Sequence, residues 1–198
     1  MQAVLLGGVV SIWAVAHSWL ATNRMKALAA ARLGAGGARA YRLAYNIVSV
    51  ATLGPIAVWM SGLPDRQVYA VPPQWAFVMV GIQLVAAAVG AVTLLRTNAV
   101  QFAGISQVLG RPESNRLETT GLYGLVRHPL YLFGLIILWL SPNMSLNQLT
   151  VSVVLSAYLF LGALFEERRL VAEFGKPYEA YRARTPMIIP GVGHRKSE

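Results

Sequence analysis

The chain has 198 residues, of which 56% are hydrophobic and only 13% charged, and its 17 Lys and Arg against 8 Asp and Glu give a formal net charge of +9. A soluble domain carries about 25% charged residues, and basic nucleic-acid binders are rich in charge of both signs and poor in long apolar runs, so a nucleic-acid partner is not expected. Intrinsic disorder is excluded by the hydrophobicity, and with no cysteine there is neither a disulfide framework nor a thiol of the chain's own for catalysis or metal binding.

Four long runs carry no Lys, Arg, Asp or Glu: Met1–Asn23, Leu43–Pro64, Gln67–Leu95 and His128–Phe165. About 20 mostly apolar residues cross a bilayer as a helix, so each of the first three runs fits one span. The first lacks basic residues ahead of its apolar stretch and is too long for a typical signal peptide, so it is expected to be a retained helix. The fourth is 38 residues long, roughly 57 Å as one helix, too long for a single crossing. Ser141-Pro142-Asn143-Met144-Ser145 divides it as a turn, which predicts a hairpin of helices near 129–140 and 146–165. The expected fold is an all-α polytopic membrane protein: three spans in 1–95, a cytoplasmic loop in 96–128, the hairpin in 129–165 and a cytoplasmic tail in 166–198.

The basic residues order this map. Arg24–Arg42 holds five Lys and Arg, Arg96–Arg127 four and the segment after Phe165 seven, while the remaining side holds Arg66 alone. That bias places the N-terminus outside and the tail in the cytoplasm, as expected of a bacterial inner-membrane protein. It assigns most of the charge to topology and anionic-lipid contact. Gly34-Ala35-Gly36-Gly37 resembles part of a nucleotide loop but lacks a preceding strand, so a flexible turn is the simpler reading. No His, Asp and Glu cluster has metal-ligand spacing.

Polar groups inside spans are costly and mark functional positions. On this map they gather at the inner ends: His17 and Ser18; Tyr41, Arg42, Tyr45 and Asn46; Asn98 and Gln101; His128 and Tyr131; Glu166 and Glu167. Each has a plain alternative: an interfacial aromatic for Tyr41, interhelical hydrogen bonding for Asn46, packing for His17. Together they predict a pocket open to the cytoplasm for a hydrophilic ligand. Pro129 suits a first helical position and puts His128 at a helix entrance, where backbone N–H groups favour an anion. Glu166 and Glu167 are acids on the positive side, either paired with Arg168 and Arg169 or facing the cavity. Leu170, Phe174, Tyr178 and Tyr181 recur every three or four residues, predicting an amphipathic tail helix ended by Pro186 and Pro190.

Gly121-Leu122-Tyr123, Arg127-His128-Pro129-Leu130-Tyr131 and Gly134, followed by Glu166-Glu167-Arg168-Arg169-Leu170, Phe174-Gly175, Tyr178, Tyr181 and Pro190, resemble the integral-membrane methyltransferases. That family includes isoprenylcysteine carboxyl and phospholipid N-methyltransferases. The likeness covers roughly Gly121 to Pro190. His17-Ser18, Ala21, Tyr41-Arg42 and Phe102 to Gln107-Val108 are loosely similar to methanethiol S-methyltransferases and related denitrification-associated membrane proteins. The resemblance implies S-adenosylmethionine held by the last two helices and the tail, with His128, Pro129, Tyr131, Glu166, Glu167 and Tyr181 at the cofactor. His128 suits its carboxylate, Glu166 or Glu167 its ammonium or ribose, and Tyr131 its adenine or sulfonium. A thiol acceptor, with an ordinary pKa near ~8.5, would ionise more readily beside Arg42 or Arg127, and His17 or Asn46 would orient it. A lipid-like carboxylate acceptor needs no base. The alternatives are an NADPH-dependent reductase of the sterol-reductase type and a non-catalytic factor for respiratory-enzyme assembly.

Overall fold

Each uncharged run holds helix, though with boundaries different from those expected. The computed structural model describes residues 1–96, 103–110 and 116–192. In chain order these form α1 (Gln2–Leu20), α2 (Asn23–Ser61), β1 (Gln67–Ala70), α3 (Pro73–Arg96), α4 (Ile105–Val108), α5 (Leu122–Leu125), α6 (Pro129–Trp139), β2 (Asn143–Ser145), α7 (Leu146–Phe174) and α8 (Lys176–Arg184). Among them α1, α2, α3 and α7 are long and apolar enough to cross a membrane. The protein is an all-α polytopic membrane protein.

Four expectations change. Helix α6 has 11 residues, about 16 Å against a hydrocarbon core of about 30 Å, so a fifth full crossing at 129–140 is not confirmed. The turn at 141–145 contains strand β2, which pairs antiparallel with β1 (Gln67 opposite Ser145, Ala70 opposite Asn143). The run from Gln67 therefore enters as strand and turns helical only at Pro73. The basic segment 24–42 is helical and continuous with the second span: Thr22 caps α2 by accepting from the Met25 N–H at 3.4 Å. Its glycines make a break inside the helix, where Gly34 adopts φ 65°, ψ −164°. A Cβ on Gly37 would run into the Leu33 side chain, so the close turn needs glycine there. Finally, the tail is two helices rather than one, because Gly175 at φ 60° separates α7 from α8.

Two compact units divide the chain. The first comprises Met1–Ala70, Leu95–Ser114 and Asn143–Leu155. Its packing stripe on α1 is Leu6, Val10 and Ala14, spaced by one helical turn and all buried. Gly7 lets the start of α7 approach, with Thr150 Cγ2 3.1 Å from where a Cβ would stand. Asp65 Oδ1 accepts from the Asn147 N–H at 3.1 Å, capping α7, and Asn147 Nδ2 donates to the Pro64 carbonyl at 3.3 Å. The second unit comprises Val71–Leu94, Asn115–Pro142 and Ser156–Glu198. There Gly90 lies against Phe133, Gly134 against Leu159, and Gln83 Nε2 donates to the Ile137 carbonyl at 2.8 Å.

Burial is inverted relative to a water-soluble fold. Val4 and Phe77 are each 79% exposed, while Ser152 and Asn147 are almost fully buried. Apolar surface on this scale marks contact with something other than water, and helices of this length and hydropathy match hydrocarbon.

Candidate functional site

The site is assembled where the start of α6 meets the end of α7 and the α8 tail, all within the second unit. Val126 is extended, and the next two backbone amides are claimed by the tail: Arg127 N–H donates to the Pro186 carbonyl at 2.9 Å and His128 N–H to Met187 at 3.0 Å. His128 then stands as N-cap with Pro129 at the first helical position, where proline's missing N–H costs nothing. Pro129 is fully buried and fixes the direction in which α6 leaves.

Helix α7 delivers Glu166 and Glu167 together, but adjacent residues on a helix point about 100° apart. Glu167 turns inward. Its Oε1 accepts from Arg127 Nε at 2.7 Å, His128 Nε2 at 3.1 Å and the Tyr178 hydroxyl at 2.8 Å, and its Oε2 accepts from Arg127 Nη2 at 2.9 Å. The forked Arg127 contact is the geometry that matches a guanidinium to a carboxylate. The remaining Arg127 nitrogen, Nη1, donates to the Arg182 carbonyl at 3.0 Å and to the Thr185 carbonyl. These carbonyls close α8, so the guanidinium caps the negative end of that helix.

Glu166 turns toward the ring pair. Tyr131 donates its hydroxyl to Glu166 Oε2 at 2.9 Å and stacks on His128, with centroids 5.2 Å apart and planes 9° from parallel. His128 Nδ1 lies 3.5 Å from Glu166 Oε2. Each imidazole nitrogen therefore faces a carboxylate. Ionised carboxylates only accept, so the imidazolium satisfies this arrangement fully and the neutral ring does not. Burial pulls the His128 pKa down, but hydrogen bonds and charge from Glu166 and Glu167 outweigh it and hold the group above its ordinary 6.5. Burial and the Glu167 carboxylate push the Tyr178 hydroxyl well up, keeping it a donor. Tyr181, pushed up to about 12 mainly by burial, donates to the Tyr123 carbonyl at 2.5 Å.

Arg127, His128, Tyr131, Glu166 and Glu167 thus fall in one continuous network; Pro129 follows His128 in the chain, and Tyr181 meets the network edge-on through Tyr178, with centroids 5.8 Å apart. Arg127 is committed to Glu167 and the α8 carbonyls. Both His128 nitrogens are directed at glutamates, where the sequence pairs this residue with a ligand carboxylate.

His17, Arg42 and Asn46 lie in the first unit. His17 stacks on Trp13 with centroids 5.0 Å apart and is held from α2 by Tyr45 and Ser49. The Ser49 hydroxyl gives its proton to the Tyr45 carbonyl at 2.7 Å, so it accepts from His17 Nδ1 at 2.9 Å. That leaves His17 Nε2 to accept from the Tyr45 hydroxyl. Asn46 Nδ2 donates to the Ala103 carbonyl at 3.0 Å. Gly104, at φ +90°, passes so close to α2 that a Cβ would lie 2.5 Å from Leu43 N and 3.0 Å from Arg42 Cβ. Asn46 therefore fastens the 103–110 segment onto α2. Tyr41 donates to the Leu20 carbonyl at 2.7 Å. Asn98, Gln101 and Phe102 lie outside the described residues.

Tyr178 and four backbone carbonyls are partners that the sequence did not mark as site groups. Tyr178 carried a signal, since it recurs with Tyr181 in the tail pattern. The carbonyls of Arg182, Thr185, Pro186 and Met187 carried none, because every residue has one.

A sequence model of the NnrU protein family matches residues 4–190. The chain belongs to the NnrU family. This NnrU-family chain is 38% identical over 102 residues to methanethiol S-methyltransferase 2 of Bradyrhizobium diazoefficiens, covering 52% of the chain and 38% of that relative. It is 35% identical over 69 residues to the methanethiol S-methyltransferase of Mycobacterium tuberculosis, covering 35% of the chain and 28% of the relative. Over 104 residues it is 36% identical to protein-S-isoprenylcysteine O-methyltransferase of Schizosaccharomyces pombe, covering 48% and 44%. The chain thus spans less than half the length of these relatives. No solved structure matches it.

Proposed function

We propose that this NnrU-family protein is a membrane-embedded methyltransferase that uses S-adenosylmethionine and methylates a small thiol. The observation that carries the reading is the Arg127–His128–Glu166–Glu167 network. It unites the two sequence motifs that resemble membrane methyltransferases. Relatives named as methanethiol methyltransferases favour the thiol. The relative named as an isoprenylcysteine O-methyltransferase supports a second reading, a lipid-like carboxylate acceptor.

The residues fit the cofactor's chemistry. Glu166 is a partly exposed carboxylate beside a stacked His128–Tyr131 pair, a setting for an ammonium or hydroxyl donor next to a flat ring. When bound, the cofactor supplies a methyl group on a sulfonium, whose departure leaves a neutral sulfur. The protein's work is then orientation and exclusion of water, which together supply several kcal/mol. Arg127 and Glu167 tie α6, α7 and α8 into one rigid frame, and His128 holds both glutamates in place. For the acceptor, Arg42 would favour ionisation of a thiol, Arg127 being committed to Glu167, and His17 or Asn46 would orient it. The protein sits in a bacterial inner membrane with its N-terminus outside and its tail in the cytoplasm, as its basic residues direct.

The test is methyl transfer from radiolabelled S-adenosylmethionine by detergent-purified protein to methanethiol, a prenylated cysteine and a phospholipid, in parallel with S-adenosylhomocysteine and NADPH binding. Labelled dimethyl sulfide is the expected product. NADPH binding without S-adenosylhomocysteine binding refutes the proposal.

A further inference from the structure

The half-buried cluster between α1 and α2 holds an imidazole set to take a proton. The Ser49 hydroxyl gives its own proton to the Tyr45 carbonyl at 2.7 Å, so toward His17 Nδ1, 2.9 Å away, it accepts. Nδ1 therefore carries the ring proton, and Nε2 is the basic nitrogen that receives the Tyr45 hydroxyl as a hydrogen bond. A phenol hydroxyl donates one proton and accepts through its lone pairs at once. A group that gives a proton to the Tyr45 oxygen is thus connected through it to His17 Nε2.

The surroundings suit the protonated ring. Trp13 stacks on His17 with planes 21° apart, and a tryptophan face attracts a cation. Trp13 is itself fixed, donating its indole N–H to Thr52 Oγ1 at 2.9 Å. No Asp or Glu precedes Asp65 in the chain, so no carboxylate of either helix competes for the proton. His128 differs, because both its nitrogens face glutamates and donate to them. Among the described histidines, His17 is the one with a ring nitrogen that accepts.

We infer that Tyr45 takes the proton of the acceptor thiol and passes its own to His17, with Ser49 and Trp13 as positioning residues for the ring. This rests on the methyltransferase reading above and on its thiol acceptor. The thiol S–H bond breaks as an O–H bond forms at Tyr45, and the former Tyr45 O–H bond breaks as an N–H bond forms at His17 Nε2. The products are a thiolate and an imidazolium, which returns its proton to water through the same hydroxyl once the sulfide has left. The test uses the full chain in detergent with two thiols, methanethiol and the more acidic trifluoroethanethiol, more of which is ionised before it binds. Tyr45→Phe lowers methyl transfer to methanethiol by roughly a hundredfold or more, the contribution of a positioned proton acceptor. It lowers transfer to the fluorinated thiol far less, and S-adenosylhomocysteine affinity stays near wild type. Nitrogen NMR of the histidine rings, with His17 assigned from its loss in His17→Gln, shows the Nδ1–H tautomer in wild type and in Tyr45→Phe, and a shift toward Nε2–H in Ser49→Ala. Should Tyr45→Phe not fold, His17→Gln, which keeps a polar side chain but no base, is read in the same way. Equal losses for both thiols, methanethiol transfer near wild type in Tyr45→Phe, or an Nε2–H tautomer in wild type overturns this inference alone. A wild-type protein that binds S-adenosylhomocysteine but methylates neither thiol removes the thiol acceptor and this inference with it; one that does neither overturns the methyltransferase reading as well.

Discussion

Replacing Glu167 by alanine removes the acceptor of four hydrogen bonds at once. Arg127 is left with its side chain 9% exposed and without its carboxylate, and the Tyr178 hydroxyl and His128 Nε2 lose a partner in the same step. Breaking a buried ion pair by deleting one member costs about 3–5 kcal/mol, because the surviving charge stays desolvated. For a chain of this size each kcal/mol moves the unfolding midpoint by about 2–4 °C, so a fall of roughly 6–20 °C is expected. Tryptophan fluorescence during heating of the detergent-purified protein measures it. Arg127→Met alone strands the opposite charge and also destabilises. The Arg127→Met, Glu167→Met double variant buries no lone charge, so its loss is smaller than the sum of the single losses, with a coupling of about 1.5–3 kcal/mol. Strict additivity, or a fall of less than about 3 °C in Glu167→Ala, refutes the argument that this pair holds α6, α7 and α8 together.

Two other outcomes follow from the geometry and a third from the proposed function. The His128 pKa is raised on folding, so the stability contributed by its imidazolium is complete below 6.5 and is lost as pH rises through the higher folded value; the unfolding midpoint of wild type falls over that range, and His128→Gln flattens this part of the profile. Gly104→Ala places a Cβ 2.5 Å from Leu43 N at φ +90° and destabilises by about 1–3 kcal/mol or more, read as a lower unfolding midpoint; an unchanged midpoint removes the tight crossing. His17→Ala and Asn46→Ala lower acceptor turnover while S-adenosylhomocysteine affinity stays near wild type, and if both variants turn over acceptor normally those residues have no part in the reaction.

Much of the architecture was legible because solvent acts on composition. A bilayer demands long uncharged helices, and the interruptions by charge marked α1, α2, α3 and α7 without reference to any contact. Pro129 announced the start of α6 through its own backbone chemistry. The break within 34–37 was legible as glycine but not as a kink inside a helix, since glycine permits a loop and a kink equally. The β1–β2 pair left no trace, because strands of four and three residues are too short to show a period.

The sequence by itself determined that this is a polytopic membrane protein and named side chains that meet in one network: Arg127, His128, Tyr131, Glu166 and Glu167. Tertiary structure alone decided which partners each of them has. Glu166 and Glu167 are the same residue type at neighbouring positions, and nothing local distinguishes them. The rotation of about 100° between them on a helix turns one into a buried strut and leaves the other with a free face. Arg127 reads as a cation available to a substrate until the fold brings Glu167 and the carbonyls of Arg182 and Thr185 to it. Those partners lie 40 to 58 residues away in the chain, and backbone carbonyls are shared by every residue, so only the fold could assign them.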